Sequence, residues 1–178
     1  FAGEAQGMLL AESAVRACDL ARIGFGQTVA VTALQLACAA AAAVNGGYYY
    51  RPRLVSEIRS AAGAVFEEIP VTLKNRTIGQ QASRTLASLL EGVVKNGSGS
   101  KAYIEGYKIG GKTGTAQKFE NGAIAQGKYV SSFLGFFPAN DPQYLSLVIV
   151  DEPQGAYYGS VVAAPAAREI FQGIIDAK

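Results

Sequence analysis

Read from the first residue, the chain changes its apolar period several times, and each change marks an element. Up to Gly26 it is punctuated by Gly3, Gly7, Gly24 and Gly26, and only the stretch around Leu9–Leu20 has a helical look. From Val29 to Val44 it is apolar and alanine-rich, interrupted by Thr32 and Gln35. That run predicts a buried helix whose inner side is Leu34, Leu36, Ala37, Ala40 and Val44. Thr28 or Thr32 can cap it, and Asn45-Gly46-Gly47 ends it with residues that accept positive φ. The run falls short of the roughly 20 strongly apolar residues that a membrane span requires.

Two strand-like runs follow, Tyr48–Ser60 and Ala64–Ile69, joined across Ala61-Ala62-Gly63 as a two-stranded ribbon. Gln80–Lys95 predicts a second helix, with Leu86, Leu89, Leu90, Val93 and Val94 at helical spacing, stopped by Asn96-Gly97-Ser98-Gly99. Then come three strands. Tyr107–Lys118 leads into a turn containing Asn121-Gly122, Tyr129–Phe137 is closed by Pro138, and Tyr144–Asp151 follows the turn at Asn140-Asp141-Pro142. The third strand is apolar on both faces, which places it in the middle of a layered structure. A final helix starts near Ser160, accepts Pro165 close to its start, and carries Ile170, Phe171, Ile174 and Ile175 as one stripe. The expected class is α+β, three antiparallel strands with a C-terminal helix packed on one face.

Composition narrows the choice of chemistry. The chain of 178 residues is one domain or a large piece of one, 49% hydrophobic and 17% charged, which excludes disorder. A net charge of +2 without a dense Lys/Arg stripe argues against a nucleic-acid partner. With no histidine, Ser-His-Asp and Cys-His catalysis and every His-ligated metal site are excluded within the chain. Cys18 and Cys38 are too few and too far apart for a zinc cluster and read as small buried hydrophobes. Neither a metal nor an organic cofactor is indicated. The first residue is Phe1, so an upstream segment is expected to have been removed.

The most informative segment is Gly110-Gly111-Lys112-Thr113-Gly114-Thr115-Ala116-Gln117-Lys118. In an extended strand Lys112 and Gly114 point to one face, and Thr113 and Thr115 to the other. The lysine sets a positive charge beside a row of hydroxyls, while Gly114 removes a side chain where another backbone can approach. Such a strand can bind an anion, each charge-assisted hydrogen bond contributing about 1.5–3 kcal/mol. Its plain structural reading is an amphipathic edge strand on which lysine discourages aggregation.

Lys-Thr-Gly is a motif of penicillin-binding proteins and class A β-lactamases, and here the likeness extends well past the triplet. Gly106-Tyr107-Lys108-Ile109-Gly110-Gly111-Lys112-Thr113-Gly114-Thr115-Ala116-Gln117 resembles the third active-site motif of class B penicillin-binding proteins with its flanks. Phe25-Gly26-Gln27, Val31–Ala37, Ala43–Gly47 and Val93–Gly99 are similar to that family as well. So are Ser132–Ala139 and Ala163-Ala164-Pro165, all in the family's order, and the run through Lys118 is most like the sporulation-specific type.

The resemblance implies the C-terminal half of a peptidoglycan D,D-transpeptidase domain. Residues 1–178 would then be a single partial domain, with a helical and ribbon part at 1–105 and the sheet with its helix at 106–178. Its partners would be the D-Ala–D-Ala end of a stem peptide and β-lactams, with no nucleic acid. The parent protein would be anchored upstream on the extracytoplasmic face of the bacterial membrane. On this chain, Lys112 would contribute charge, Thr113 and Thr115 would bind the terminal carboxylate, and Gly114 would let the ligand lie alongside. The Thr115 N–H would be one of two oxyanion donors, a loss typically costing about 10²–10³ in rate. Tyr157 and Tyr158 fall near the cleft and read as packing residues.

The family also uses Ser-x-x-Lys at a helix start and Ser-x-Asn facing it. Ser-x-Asn occurs nowhere in the chain, and Ser-x-x-Lys occurs once, as Ser98-Gly99-Ser100-Lys101. Ser98 follows a predicted helix end and lies between glycines, so it is read as a decoy, with the nucleophile expected upstream of Phe1 and the chain alone inactive. The Tyr144–Asp151 strand would then expose an apolar edge, available for self-association. Two rivals share these features: a non-catalytic cell-wall peptide or β-lactam binding module, and a serine β-lactamase or carboxypeptidase, to which the Gln27–Leu36 region is less similar.

Overall fold

A computed structural model describes residues 3–120 and 123–177. A 3₁₀ turn at Glu12–Ala14 precedes helix α1 (Ala17–Ile23), a little later than the helical piece read around Leu9–Leu20. Helix α2 (Ala33–Val44) starts on a capping box: Gln35 N–H donates to Thr32 Oγ1 at 3.0 Å and Thr32 N–H to Gln35 Oε1 at 2.9 Å. Thr32 is therefore the cap, whereas Thr28 sits at a left-handed φ of 61°. The buried side is narrower than predicted. Val44 is buried, Leu34, Ala37 and Ala40 are half-buried, and Leu36 is exposed, because the described residues cover only part of this helix.

The ribbon across Ala61-Ala62-Gly63 exists, but between short strands β2 (Glu57–Arg59) and β3 (Val65–Glu68). Tyr48–Tyr50 is a separate strand, β1, paired antiparallel with β4 (Leu73–Arg76). Pro52, which lacks an N–H, interrupts the run read as one strand. Helix α3 (Gln80–Asn96) buries Ser83, Ala87 and Val94, half-buries Leu86, Leu90 and Val93, and turns Leu89 outward. A 3₁₀ turn at Ser100–Ala102 follows.

Strands β5 (Gly110–Glu120), β6 (Ala123–Phe137) and β7 (Tyr144–Asp151) form one antiparallel sheet in the order β5-β6-β7. β5 starts later than Tyr107 because Gly106, at φ 81°, turns the chain and Tyr107 N–H closes on Ile104 O at 3.2 Å. The Asn121-Gly122 turn lies outside the described residues. The last helix comes in two pieces, α4 (Gly159–Val162) and α5 (Ala164–Asp176), with Pro165 in the first turn of α5, where a missing N–H costs little.

The core is arranged on the two sides of this sheet. Phe133 and Phe137 project to one side and Phe136 to the other, as alternation along β6 requires. On the first side they join Ala163, Ala164, Ala167 and Phe171 of α4 and α5, with the Phe137 and Phe171 rings 5.1 Å apart at 61°. On the second, Phe136, Leu134 and Leu145 meet Val44 of α2 and Ala87 and Leu90 of α3. Each buried phenylalanine contributes about 1.5–3 kcal/mol. Layers on both faces explain why β7 is apolar on both sides, although within the sheet it is an edge strand. Cys18 and Cys38 are free; Cys18 is exposed, correcting the buried reading, and half-burial pushes the Cys38 thiol up. Among the described residues no helix is long and apolar enough to cross a membrane.

Candidate active site

β5 forms the sheet edge opposite β7, and the register with β6 decides where its side chains go. Thr113 lies opposite Phe133, and Thr115 opposite Ser131. Both threonines therefore share the side covered by α4 and α5, and Lys112 and Gly114 face the other. Thr113 is half-buried, its hydroxyl 3.2 Å from that of Ser98. Thr115 is exposed, and its Oγ1 accepts the backbone N–H of Gly159 at 3.1 Å. Lys112 is exposed and donates from Nζ to Thr113 O at 2.9 Å.

Two glycines make this arrangement possible. A Cβ on Gly114 would strike Ser132 Oγ, so a side chain there would force that hydroxyl to turn away. A Cβ on Gly159 would collide with the carbonyl oxygens of Ser132 and Gly114, which is how closely the start of α4 rests on the sheet. The chain reaches that point through a loop, 152–158. Glu152 N–H donates to Tyr129 O at 2.9 Å, and Tyr157 stacks on Tyr129 with centroids 4.2 Å apart at 13°. The buried Ser131 hydroxyl donates to Tyr157 O. Tyr157 thus packs, whereas Tyr158 is exposed, its hydroxyl accepting from that of Tyr157 at 3.2 Å.

The far end of the sheet is charged. Lys118 Nζ lies 2.8 Å from Glu152 Oε1 and 3.0 Å from Asp151, while Lys128 Nζ lies 2.9 Å from Glu120 and 3.7 Å from Glu152. The Lys118 hydrogen bond holds the Glu152 carboxyl below the usual glutamate range, against a smaller opposing effect of burial. Hydrogen bonds to Glu152 and Asp151 push the Lys118 ammonium up.

Ser98 comes after the end of α3 and is exposed, and the next ordered element is the 3₁₀ turn that carries Lys101. The hydroxyl faces Thr113, and Lys101 borders a separate groove with Pro165, Arg168 and Gln172. The structure thus brings Lys112, Thr113, Gly114 and Thr115 onto one open strand and adds Ser98, Ser131 and Gly159, which sequence reasoning did not connect to it. No local signal reveals that Gly159 touches a residue 44 positions earlier.

A family model described as the penicillin binding protein transpeptidase domain matches residues 1–172. The chain is 38% identical over 172 residues to stage V sporulation protein D of Bacillus subtilis, covering 96% of this chain and 27% of that protein. It is 32% identical over 178 residues to the probable peptidoglycan D,D-transpeptidase PenA of Neisseria gonorrhoeae, covering 99% and 29%. The chain thus spans less than a third of the length of these curated relatives. Among solved structures, the transpeptidase domain of Burkholderia pseudomallei penicillin-binding protein 3 superposes with a TM-score of 0.83 at 30% identity, over 99% of this chain and 51% of that one. Penicillin-binding protein 3 of Mycobacterium tuberculosis, solved in complex with ampicillin, superposes with a TM-score of 0.86 at 26% identity, over 99% and 41%. With the sheet, its flanking helices and the Lys-Thr-Gly-Thr strand in place, the chain belongs to the penicillin-binding protein transpeptidase domain family, among its class B members.

Proposed function

We propose that β5 holds the acid end of a peptidoglycan stem peptide, or of a β-lactam in its place. The chain would be the carboxylate and oxyanion side of a serine D,D-transpeptidase. The observation that carries this is the Gly159 N–H on Thr115 Oγ1. The amide occupies one of the two lone pairs of the Thr115 hydroxyl and holds the side chain in place, which leaves its one proton available to a carboxylate. Thr113 stands two residues away on the same side, and the Lys112 ammonium supplies positive charge beside them. Gly114 lets the ligand lie along the open edge.

In this reading a serine supplied by another part of the protein attacks the carbonyl between the two terminal D-alanines. The Thr115 N–H and the serine N–H hold the developing oxyanion. The last D-alanine leaves with a proton on its nitrogen, and the resulting ester is resolved by an amine of a neighbouring stem peptide. Such a substrate places the parent protein on the extracytoplasmic side of the membrane, where peptidoglycan is cross-linked. In the separated chain the free edge of β7, with Ile149 43% exposed, is available for pairing with a second copy. Concentration-dependent light scattering checks that point, and a clean monomer at high concentration rejects it.

Fluorescent penicillin tests the main reading. The 178-residue chain should take no covalent label, while the full-length protein should take it. In the full-length protein Thr115→Val should slow acylation by about 10–100-fold, the worth of one charge-assisted hydrogen bond. Label on the short chain that vanishes in Ser98→Ala would overturn the assignment of the serine elsewhere. An unchanged rate in Thr115→Val would overturn the role of the strand.

A further inference from the structure

We propose that Lys118 is a positioning residue for carboxylate recognition: by gripping Glu152 it fixes the 152–158 loop so that the Gly159 N–H meets Thr115. This rests on the reading of β5 given above. Lys118 lies three residues beyond Thr115 on the same strand, and its side chain is only 22% exposed. Its ammonium bridges Asp151, the last residue of β7, at 3.0 Å and Glu152 Oε1, on the first residue of the loop, at 2.8 Å. The loop is therefore strapped to β5 at both ends, by Lys118 where it begins and by Thr115 where it lands.

The entry to the loop needs such a grip. Glu152 adopts φ 48°, a left-handed conformation that side-chain-bearing residues rarely take. Conformations of that kind persist only where the surroundings over-determine them. Here the surroundings are Lys118, Lys128 at 3.7 Å and the Glu152 N–H bond to Tyr129 O. Without the Lys118 charge, Asp151 and Glu152 become adjacent like charges, with the Lys128 ammonium shared between Glu152 and Glu120. At the landing point Gly159 lies so close to the Ser132 and Gly114 carbonyls that a Cβ would collide with both, and a displaced loop lifts its N–H from Thr115. The Thr115 hydroxyl then loses its orientation, while the strand backbone, and with it the Thr115 N–H, stays paired to β6.

The test uses the full-length protein, with penicillin as its free acid and as its methyl ester, together with amide exchange over residues 152–162. In Lys118→Met, acylation by the free acid should fall about tenfold, close to the worth of one oriented hydrogen bond to a charge. Acylation by the ester should stay nearly constant, and Gly159 exchange should accelerate. Lys118→Arg should restore both readings. Glu152→Gln, which keeps the side chain's shape, should move them in the same direction and serves if Lys118→Met does not fold. An equal fall for acid and ester would overturn the proposal, as would unchanged exchange in the loop. If the wild-type protein is not acylated at all, the reading of β5 fails by itself, and the exchange of Gly159 in Lys118→Met and Lys118→Arg still decides whether the strap exists.

Discussion

The sheet β5–β7 and the paired ribbons between Tyr48 and Arg76 are both antiparallel, both interrupted by irregular register, and both rich in aromatic residues. In the sheet, Phe133 and Phe136 are fully buried on opposite sides; in the ribbons, Phe66 is 83% exposed and every residue of β3 and β4 is open. The difference comes from what covers them. Helices lie on both faces of the sheet, whereas each ribbon relies on one pair of strands, a marginal unit on its own. Thr113 and Thr115 stand on the packed platform, where helices on both faces hold their positions.

Several substitutions sharpen or break this contrast. The largest effect is expected for Phe171→Ala, which empties the middle of the first core cluster and should cost about 3–5 kcal/mol in urea unfolding. Phe66→Ala on the ribbon should stay within about 0.5 kcal/mol, and similar losses at the two sites would erase the distinction. Ser131→Ala comes next. It removes the buried hydroxyl that donates to Tyr157 O and should cost about 1–3 kcal/mol, with the loop loosened first.

Acidification acts more locally. Because the Glu152 carboxyl is held below its ordinary value, its contribution is complete above the unfolded glutamate value and is lost as pH falls through the lowered one. Lys118 and Lys128, both held above the ordinary lysine value, stay charged through this window, so the loss is on the carboxylate side. Amide exchange at 152–159 should therefore rise on acidification before the β5–β6 pairing opens; constant exchange down to about pH 3 would contradict it. A small effect is also expected for Glu57→Ala on the ribbon. It breaks an exposed pair with Arg59 at 2.7 Å and should cost below about 1 kcal/mol.

Legibility followed packing. β7 was readable to its end residues because an apolar run, Leu147–Val150 with Leu145 before it, stands between turn residues, and α3 because its stripe is long and amphipathic. The β4 strand, Leu73-Lys74-Asn75-Arg76, was not readable, since nothing alternates in it and β1 supplies its partners. Leu36 and Leu89 were placed inward by spacing alone, and both are exposed. Periodicity states which residues share a side, while a neighbouring element decides whether that side is covered. At the site, Lys112, Thr113, Gly114 and Thr115 stood out because charge, hydroxyls and glycine alternate within one short run. Ser98, Ser131 and Gly159 did not, since serine and glycine in loops carry no mark of what they touch.

By itself, the sequence determined the α+β class, the existence of the sheet and its helices, and the position of the Lys-Thr-Gly-Thr run on a strand, because these follow from period, turn residues and local composition. Only the tertiary structure decided that an amide from the start of α4 meets the Thr115 hydroxyl and that Lys118 pairs with Asp151 and Glu152 at the end of β7. Those contacts join residues some tens of positions apart, and their geometry depends on how closely a glycine lets one backbone rest on another.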